Sequence, residues 1–213
     1  PQAQSREENL GTHLKHYTAI DEHAEANFII ETMQKEHTEK HRPYGDMAVL
    51  YRMNAQSRVI EEALVRRGIG YTMVGGTRFY DRAEIRDMLA YLKVINNFKD
   101  NISLMRIINT PKRGIGGTTV QKLLDYANAG GMSMFEGIMA IEGSGLSSAT
   151  QLKLTNFSAM IFDFLNASTE MNVFELIQKV MTDTKYLAQL QESKDPQAQS
   201  REENLGTHLK HYT

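Results

Sequence analysis

A short stretch in the middle of the chain combines the side chains that hold a phosphate. Pro111–Thr119 has the sequence PKRGIGGTT, with two bases before a glycine turn and two hydroxyls after it. Glycine lets a phosphate approach the backbone closely, and a helix that begins after the turn favours an anion at its N-terminus. We expect a hairpin between two helices that contacts a nucleic-acid backbone without selecting a sequence, through Lys112, Arg113, Gly114, Ile115, Gly116, Thr118 and Thr119. The alternative is a plain turn in which glycine only permits the geometry.

The same four letters occur elsewhere in the chain and provide an internal comparison. Arg67-Gly68-Ile69-Gly70 follows one predicted helix and precedes a predicted strand. A glycine directly after a helix commonly caps its C-terminus. We therefore predict a capping turn there and no binding site.

A second candidate site follows a predicted strand. The sequence YRMNAQSR spans Tyr51–Arg58 and opens a helix. Polar residues at the carboxyl end of a parallel strand lie at the edge where open α/β sheets bind ligands. Arg52 and Asn54 could contact a phosphate or a base there, and the alternative is that Asn54 caps the following helix.

Composition excludes several classes of protein. The chain has 213 residues, a net charge of −2 and no cysteine. Disulfide frameworks, cysteine zinc sites and thiol catalysis are therefore excluded. No apolar run is long enough to span a membrane, and the string G-x-x-x-x-G-K-[ST] of nucleotide hydrolases is absent. Because the whole chain is not basic, nucleic-acid binding needs a local patch, and residues 78–113 carry eight bases and four acids.

The apolar pattern predicts an α/β part followed by an all-α part. Short strands are expected at His13–Thr18, Met47–Tyr51 and Tyr71–Val74, alternating with helices, which is typical of a parallel sheet of about three strands. After residue 75 the spacing is helical. Helices are predicted near residues 21–37, 56–67, 85–92, 103–108, 118–127, 134–141, 149–165 and 173–181. A domain boundary is expected near Asn96–Asp100.

The two ends of the chain carry the same string. Pro1–Thr18 and Pro196–Thr213 both have the sequence PQAQSREENLGTHLKHYT. Repeat folds recur at shorter periods and drift in sequence, so we interpret the duplication as an engineered-looking junction of a chain end to a chain start at Gly11-Thr12. The alternative is a natural duplication.

Several longer strings together indicate a family. The chain contains AVLYRMNAQSRVIEEAL, YTMVGGTRFYDRAEIRDMLAYL, LMRIINTPKRGIGGTTVQKL and AQSREENL in this order. It resembles bacterial superfamily 1A DNA helicases of the UvrD/PcrA type. The resemblance implies that residues 13–95 are part of a RecA-like motor domain (2A) and residues 96–205 are the helical insertion (2B). Residues 1–12 would be a duplicated return segment with the junction, and residues 206–213 a duplicated strand segment.

The resemblance also implies roles for the candidate residues. Arg52 and Asn54 are similar to single-strand contacts of domain 2A. The stretch Lys112–Thr119 is similar to the helix-hairpin-helix element that holds the duplex backbone ahead of the fork. Gly143–Thr150 resembles a second, degenerate hairpin. The parent would be an ATP-dependent 3'-5' DNA helicase of DNA repair and replication, cytoplasmic and nucleoid-associated in bacteria.

The resemblance leaves much of such a helicase unmatched. The first motor domain, with its Walker A and B motifs, has no counterpart here, so we expect DNA binding without ATP hydrolysis. No cofactor is expected, since ATP and Mg²⁺ would belong to the parent. The alternative is a regulatory or protein-interaction module, with protein partners on the 2B surface. The duplicated ends could also exchange between molecules.

Overall fold

The computed structural model describes residues 16–192 and 198–210, without the side chains of residues 55 and 207–210. It is 70% helical. Within the described ranges the chain forms ten α-helices. Their bounds are α1 Glu22–Lys40, α2 Ser57–Arg66, α3 Ala83–Asn96, α4 Asn101–Ile107, α5 Gly117–Ala129, α6 Met134–Met139, α7 Ser148–Ser168, α8 Val173–Asp183, α9 Tyr186–Glu192 and α10 Ala198–Lys210. The eight helices predicted from the apolar spacing correspond to α1–α8, whereas α9 was not predicted.

The predicted parallel sheet of about three strands is wrong. Residues 16–210 contain no strand wherever the structure describes them. Met47–Tyr51 and Tyr71–Val74 are irregular, as are residues 16–18, while residues 13–15 of the first predicted strand lie outside the described residues. The fold described here is therefore mostly helical.

Exposure explains why the strand prediction failed. Leu50 is 94% exposed and Val74 is 93% exposed, so the apolar runs that predicted buried strands are not buried. Strand preference depends on packing against neighbouring strands more than on the residues themselves. A helix, in contrast, closes its backbone hydrogen bonds within one segment. Local spacing was therefore a sound guide to helices and a poor guide to strands.

The described chain divides into two units. The first consists of residues 16–52 and 56–72, and the second of residues 53–55, 73–192 and 198–210. Sequence analysis placed the domain boundary near Asn96–Asp100, at the end of α3. In the structure α3 belongs to the second unit.

The first unit is built on α1 and α2. Ala26 and Ile30 of α1 pack with Val59, Ala63 and Leu64 of α2 in a small apolar cluster. Arg58 is only 1% exposed, and its guanidinium pairs with Glu62 at 3.0 Å and Glu22 at 3.5 Å. A buried guanidinium needs such partners, because an unpaired buried charge is strongly unfavourable.

The second unit has one large apolar core, formed from α3–α9 and Leu205 of α10. Side-chain caps fix where its shorter helices begin. Asp100 caps α4 by accepting from the N–H of Ser103 at 2.9 Å. Ser133 and Glu136 form a reciprocal capping box at the start of α6, and Asn172 and Glu175 form another at α8. These polar caps satisfy N–H groups that have no acceptor within the helix.

The last helix runs through the repeated string. α10 contains AQSREENL and continues across Gly206 to Lys210, where sequence analysis predicted the start of a strand segment. The last three residues of the repeated string, 211–213, lie outside the described residues. Among the helices of the described chain, none is both long and apolar enough to cross a lipid bilayer.

Candidate nucleic-acid interface

The predicted hairpin lies between α4 and α5. Gly114 has a φ of +69°, a left-handed conformation that glycine adopts without steric cost. Gly116 is extended and forms the N-cap of α5, where its carbonyl accepts from Thr119 at 3.0 Å and Val120 at 3.1 Å. The N–H groups of Gly117 and Thr118, ahead of these two, have no acceptor within the helix. The turn therefore presents backbone donors together with a helix N-terminus.

Two side chains fix the interior of the hairpin, one by hydrogen bonds to its backbone and one by burial in the core. Asn109 Oδ1 accepts from the N–H of Arg113 at 2.8 Å and from that of Ile115 at 3.2 Å. Ile115 is 1% exposed and belongs to the core of the second unit. Of the predicted site residues, Ile115 thus anchors the turn and offers its side chain to no ligand.

Arg113 points inward. Its guanidinium donates to the carbonyls of Ile107 at 3.0 Å and Pro111 at 3.1 Å, and to the hydroxyl of Tyr91 at 2.6 Å. It also lies 5.5 Å from the centre of the Phe157 ring, a distance that permits a cation–π contact. The side chain that sequence analysis counted as a phosphate contact therefore ties the base of the hairpin to α3 and α7.

Tyr91 completes this connection. Its hydroxyl donates to the carbonyl of Thr110 at 2.6 Å while it accepts from Arg113. Burial raises the pKa of Tyr91 to about 12, although the charge and hydrogen bond of Arg113 act in the opposite direction. The phenol is therefore protonated at neutral pH and remains a donor to the hairpin.

The exposed groups of the hairpin are fewer than predicted. Lys112 and Thr118 are exposed and Thr119 is half-buried. A further cation comes from α7, since Lys153 Nζ donates to the carbonyl of Gly114 at 3.2 Å. Sequence analysis missed Lys153, because nothing in its local sequence links α7 to the turn. The structure thus places two exposed lysines, Lys112 and Lys153, at one turn.

A second hairpin repeats the geometry of the first. Gly145 has a φ of +67°, and Ser147, two residues later, is the extended N-cap of α7. The Ser147 carbonyl accepts from Thr150 and Gln151, both at 2.9 Å, as the Gly116 carbonyl does from the corresponding positions of α5. Gly145-Leu146-Ser147 therefore corresponds to Gly114-Ile115-Gly116.

The second hairpin differs from the first in charge. The three residues before Gly145 are Glu142, Gly143 and Ser144, so Gly143 and Ser144 stand where the first hairpin has Lys112 and Arg113. The two hairpins share their backbone geometry, but the second lacks the positive charge of the first. This contrast agrees with its description as a degenerate hairpin.

The comparison string Arg67-Gly68-Ile69-Gly70 forms the predicted capping turn. Gly68 has a φ of +65°, and the N–H of Ile69 donates to the carbonyl of Leu64 at 2.9 Å, which closes the end of α2. No helix begins after it, since residues 70–74 are irregular or bent. Identical letters therefore form a helix end here and a helix start at the hairpin.

Arg52 belongs to the first unit. Its side chain is exposed, and its backbone N–H donates to Gln56 Oε1 at 3.1 Å. Gln56, and not Asn54, is the N-cap of α2. The capping role that was the alternative for Asn54 is thus not what the structure shows.

Asn54 belongs to the second unit and lies beside a buried polar network. Its carbonyl accepts from Arg82 at 3.0 Å, and its side-chain amide lies 3.5 Å from Ser200 Oγ. Arg82 also donates to Asn204 Oδ1 at 2.6 Å, and Asn204 donates to Glu84 Oε1 at 2.6 Å. The network joins the polar motif around Asn54 to α3 and to α10.

A cavity of about 510 Å³ opens next to this network, entirely within the second unit. Its lining is polar and includes Asn54, Gly75, Thr77, Arg82, Ser200 and Arg201. Two arginines are balanced by Asp81 and Glu84 in the same lining. The cavity therefore offers hydrogen-bonding groups without a strong net charge.

Ion pairs and hydrogen bonds occupy part of the predicted basic patch. Arg82 is held by Asn204, Arg106 pairs with Asp87 at 2.7 Å, and Arg113 is held by Tyr91. The exposed bases between residues 78 and 113 are Arg78, Arg86, Lys93, Lys99 and Lys112. The local excess of positive charge is real, but three of the eight bases serve the fold.

Comparison with known proteins agrees with this architecture. The family of the UvrD-like helicase C-terminal domain matches residues 2–207. A protein of Bacillus subtilis named ATP-dependent DNA helicase PcrA is 39% identical over 203 residues, which are 95% of this chain and 28% of the relative. The protein of the same name from Leuconostoc citreum is 42% identical over 200 residues, covering 93% of this chain and 27% of the relative.

A third relative extends the agreement to another genus. The Staphylococcus epidermidis protein named ATP-dependent DNA helicase PcrA is 40% identical over 195 residues. The chain spans only 27–28% of the length of these three relatives. Because the family match covers nearly the whole chain and includes both the hairpin and α10, this chain belongs to the UvrD-like helicase C-terminal domain family.

Proposed function

We propose that this chain is the DNA-gripping part of an ATP-dependent helicase. The hairpin Lys112–Thr119 holds the phosphate backbone of duplex DNA, and Arg52 and Asn54 contact a single strand. The relatives are named as ATP-dependent DNA helicases, which supports a helicase as the parent protein. The family match supports the assignment of this chain to the C-terminal part of that helicase. In the complete enzyme, ATP hydrolysis would supply movement and this part would supply the hold on DNA.

The geometry of the first hairpin carries the proposal. Gly114 and Gly116 leave the turn without side chains, so a phosphate could approach the N–H groups that begin α5. Lys112 and Lys153 add positive charge at the same turn. These groups recognise phosphate and have no means of selecting a base, which suits an enzyme that must act on any sequence.

Arg113 has a positioning role in this proposal. Its guanidinium holds two carbonyls that precede the turn and the hydroxyl of Tyr91. Since the phosphate would meet backbone N–H groups, a fixed turn matters as much as added charge. Arg113 therefore acts on DNA through the shape of the hairpin, whereas Lys112 and Lys153 act through charge.

The single-strand contact of Asn54 would be made at the polar cavity. The Asn54 side chain lies at its wall with Thr77 and Ser200, and a nucleotide could hydrogen-bond to all three. The Arg52 side chain is exposed. Both residues thus offer polar contact in keeping with their assignment.

ATP chemistry is not assigned to this chain. Its sequence lacks the G-x-x-x-x-G-K-[ST] loop that cradles phosphates in nucleotide hydrolases. In the part of the chain that the structure describes, no group of three or more histidines, aspartates or glutamates could hold a metal ion. We assign the binding of ATP and Mg²⁺ to the rest of the parent helicase.

The test is binding of a labelled forked DNA by fluorescence anisotropy at several salt concentrations. We expect salt-dependent binding, with Lys112→Ala and Lys153→Ala each lowering affinity alike for different sequences. Each should reduce the slope of log affinity against log salt by about 1, because one phosphate contact is lost. Lys179→Gln removes one charge from α8, distant in the element order from the hairpin, and should leave the slope unchanged.

Two outcomes would contradict the proposal. One is an absence of salt-dependent binding by the unaltered chain at low ionic strength. The other is an equal loss of affinity in the Lys179 variant and the hairpin variants, which would mean that net charge and not the hairpin determines binding. Circular dichroism of each variant establishes that its helical content is unchanged.

Exposed apolar side chains favour a second candidate function. Ile102 is 79% exposed, Met139 is 59% exposed and Leu152 is 61% exposed, on α4, α6 and α7 respectively. Large exposed apolar residues mark protein contacts when they form a patch. A regulatory or protein-interaction module would bind a protein partner through them. Protein capture that Ile102→Ser or Leu152→Ser abolishes, and Lys112→Ala leaves intact, would support this function.

A further inference from the structure

The groove that holds α10 has a second possible occupant in the same polypeptide. Ser5–Leu10 has the sequence SREENL, identical to Ser200–Leu205 of α10, and lies within the exact duplication of residues 1–18 and 196–213. Residues 1–15 lie outside the described residues, but the docking of Ser200–Leu205, the duplicate of Ser5–Leu10, is described. The contacts of α10 therefore show what the first copy would need.

α10 docks through apolar and polar contacts. Leu205 is 1% exposed and joins the core of the second unit. Asn204 is 3% exposed and bridges Arg82 and Glu84, with both distances 2.6 Å. Residues i, i+3 and i+4 share one face of a helix, so Arg201, Asn204 and Leu205 face the groove together.

Each docking residue has an exact counterpart in the first copy. Ser5, Arg6, Asn9 and Leu10 stand where α10 has Ser200, Arg201, Asn204 and Leu205. The pairing is demanding, because Arg82 is 7% exposed and Glu84 is 3% exposed, and buried charges need matching polar partners. An unrelated helix would lack the polar groups that pair with Arg82 and Glu84, whereas the sequence of the first copy contains the same groups as α10.

We propose that the α10 groove is a docking site for Ser5–Leu10 of a second copy of this chain, so that the first copy of one molecule replaces α10 of another. Since the two segments are identical, they bind the groove equally well and only their local concentrations differ. The α10 segment follows α9 by the short connection 193–197, which gives an effective concentration on the order of millimolar. Exchange therefore grows with the concentration of the chain.

This competition gives a quantitative expectation. We take the effective concentration of the tethered α10 segment as about 1 mM. Neighbouring molecules would then occupy roughly one groove in ten at a chain concentration of about 0.1 mM, and roughly half at about 1 mM. Reciprocal exchange between two molecules gives a closed dimer, which is a low-cost route to association. No new surface is needed, because every contact already exists around α10.

Disulfide cross-linking tests the proposal directly, since the chain has no cysteine. Asn54 and Ser200 are in side-chain contact at 3.5 Å, so Asn54→Cys with Ser200→Cys in one chain is the positive control and should give a cross-linked monomer. The test mixes a tagged Ser5→Cys chain with an untagged Asn54→Cys chain. A cross-linked heterodimer is expected, and its yield should rise about fivefold between 0.1 and 1 mM, as the occupancy above predicts.

Weakening α10 provides the second arm. Asn204→Ala with Leu205→Asp in the Asn54→Cys chain should raise the heterodimer yield at 0.1 mM several-fold, while Asn9→Ala with Leu10→Asp in the Ser5→Cys chain should abolish it. If the weakened chain loses helical content, the concentration series with unaltered α10 still decides the question. A heterodimer yield no greater than that of a Gln2→Cys chain, in the presence of a working positive control, would overturn the proposal. A Ser5→Cys/Asn54→Cys chain that cross-links only as a monomer would overturn it as well.

Discussion

The Tyr91 hydroxyl lies 2.6 Å from Arg113 Nη2 and 2.6 Å from the carbonyl oxygen of Thr110, so one phenol holds the base of the hairpin from both sides. Arg113 also donates to the carbonyls of Ile107 and Pro111, which precede the glycine turn. The hairpin is therefore fastened to α3 through a residue 22 positions before Arg113. Its rigidity originates in the core and not in the glycine turn itself.

Tyr91→Phe tests this fastening. The variant removes the donor to the Thr110 carbonyl and one of the hydrogen-bond partners of the Arg113 guanidinium, so we expect a loss of about 1–3 kcal/mol in the free energy of unfolding. Tyr126→Phe is the matched control, because Tyr126 makes a single hydrogen bond to the Ala140 carbonyl at 2.7 Å and should cost about 1 kcal/mol or less. Urea unfolding of the three proteins measures the difference. Equal losses in both variants would contradict the special role of Tyr91.

Stability should fall at alkaline pH. Burial raises the pKa of Tyr91 to about 12 and also raises the pKa of Tyr186, whose hydroxyl donates to Asp87 at 2.6 Å. A raised pKa means that the folded state keeps its proton when the unfolded state has lost it. The stabilisation that follows from the raised pKa of Tyr91 is complete below pH 10, the ordinary pKa of tyrosine. It is lost as the pH rises through about 12.

The urea midpoint as a function of pH measures this effect. It should decline above pH 10 in the unaltered chain. The decline should be shallower in Tyr91→Phe and Tyr186→Phe, since each variant removes one proton that folding retains. Parallel curves for all three proteins would show that other groups cause the alkaline loss.

Gly114 and Gly145 form a natural pair for substitution. Both have a positive φ, near +69° and +67°, so alanine at either position costs about 1–2 kcal/mol of backbone strain. A Cβ at Gly114 would also lie 2.9 Å from Lys153 Nζ, whereas a Cβ at Gly145 meets nothing within 4 Å. We expect similar loss of stability in both variants but weaker DNA binding only in Gly114→Ala. Anisotropy on forked DNA, at a temperature where both are folded, would separate the two effects.

Asp100 should stabilise the helix that leads into the hairpin. It caps α4, and the hydroxyl and N–H of Ser103 hold the pKa of its carboxyl below the ordinary value. Asp100→Ala is expected to cost about 1 kcal/mol, whereas Asp163→Ala on the exposed face of α7 should change stability by no more than about 0.5 kcal/mol. Because the pKa is lowered, the contribution of Asp100 is present at neutral pH and lost as the pH falls through its folded-state pKa. A gap between the variants that persists unchanged in acid would contradict this.

Asn204 and Asn9 occupy the same place in the duplicated string; Asn204 bridges Arg82 and Glu84, and Asn9 lies outside the described residues. Asn204→Ala should destabilise the chain by about 2–3 kcal/mol, since it leaves two buried charged groups short of a partner. Asn9→Ala should leave the unfolding of dilute protein unchanged. Thermal unfolding at low micromolar concentration compares them, and equal destabilisation would mean that the first copy also contributes to the monomer fold.

The helical part of the fold was predictable because its signals are local. Apolar spacing located α1–α8, and the hairpin was found from its glycines and bases between α4 and α5. The α9 helix was missed, and so was the continuation of α10 across Gly206. Glycine is a poor helix former, so the continuation shows that docking of the preceding residues outweighs local preference.

The strands and the partners of the site were not predictable in the same way. Met47–Tyr51 has the composition of a buried strand, yet Leu50 is 94% exposed, since burial depends on neighbours that local sequence does not specify. For the same reason, the sequence predicted a phosphate contact at Arg113 and none at Lys153, although Lys153 is an exposed cation at the turn. Arg113 is adjacent to the turn but bonded inward, and Lys153 is distant in sequence but donates to Gly114.

The sequence by itself determined the family, the positions of α1–α8 and the hairpin, because family strings, apolar period and glycine turns are all properties of short segments. Only the tertiary structure decided which cations face solvent, that Tyr91 fastens the hairpin, and that Asn204 bridges Arg82 and Glu84. These outcomes depend on which side chains meet across helices that are far apart in the chain. Contact between distant segments follows from packing of the core, and no spacing within one segment encodes it.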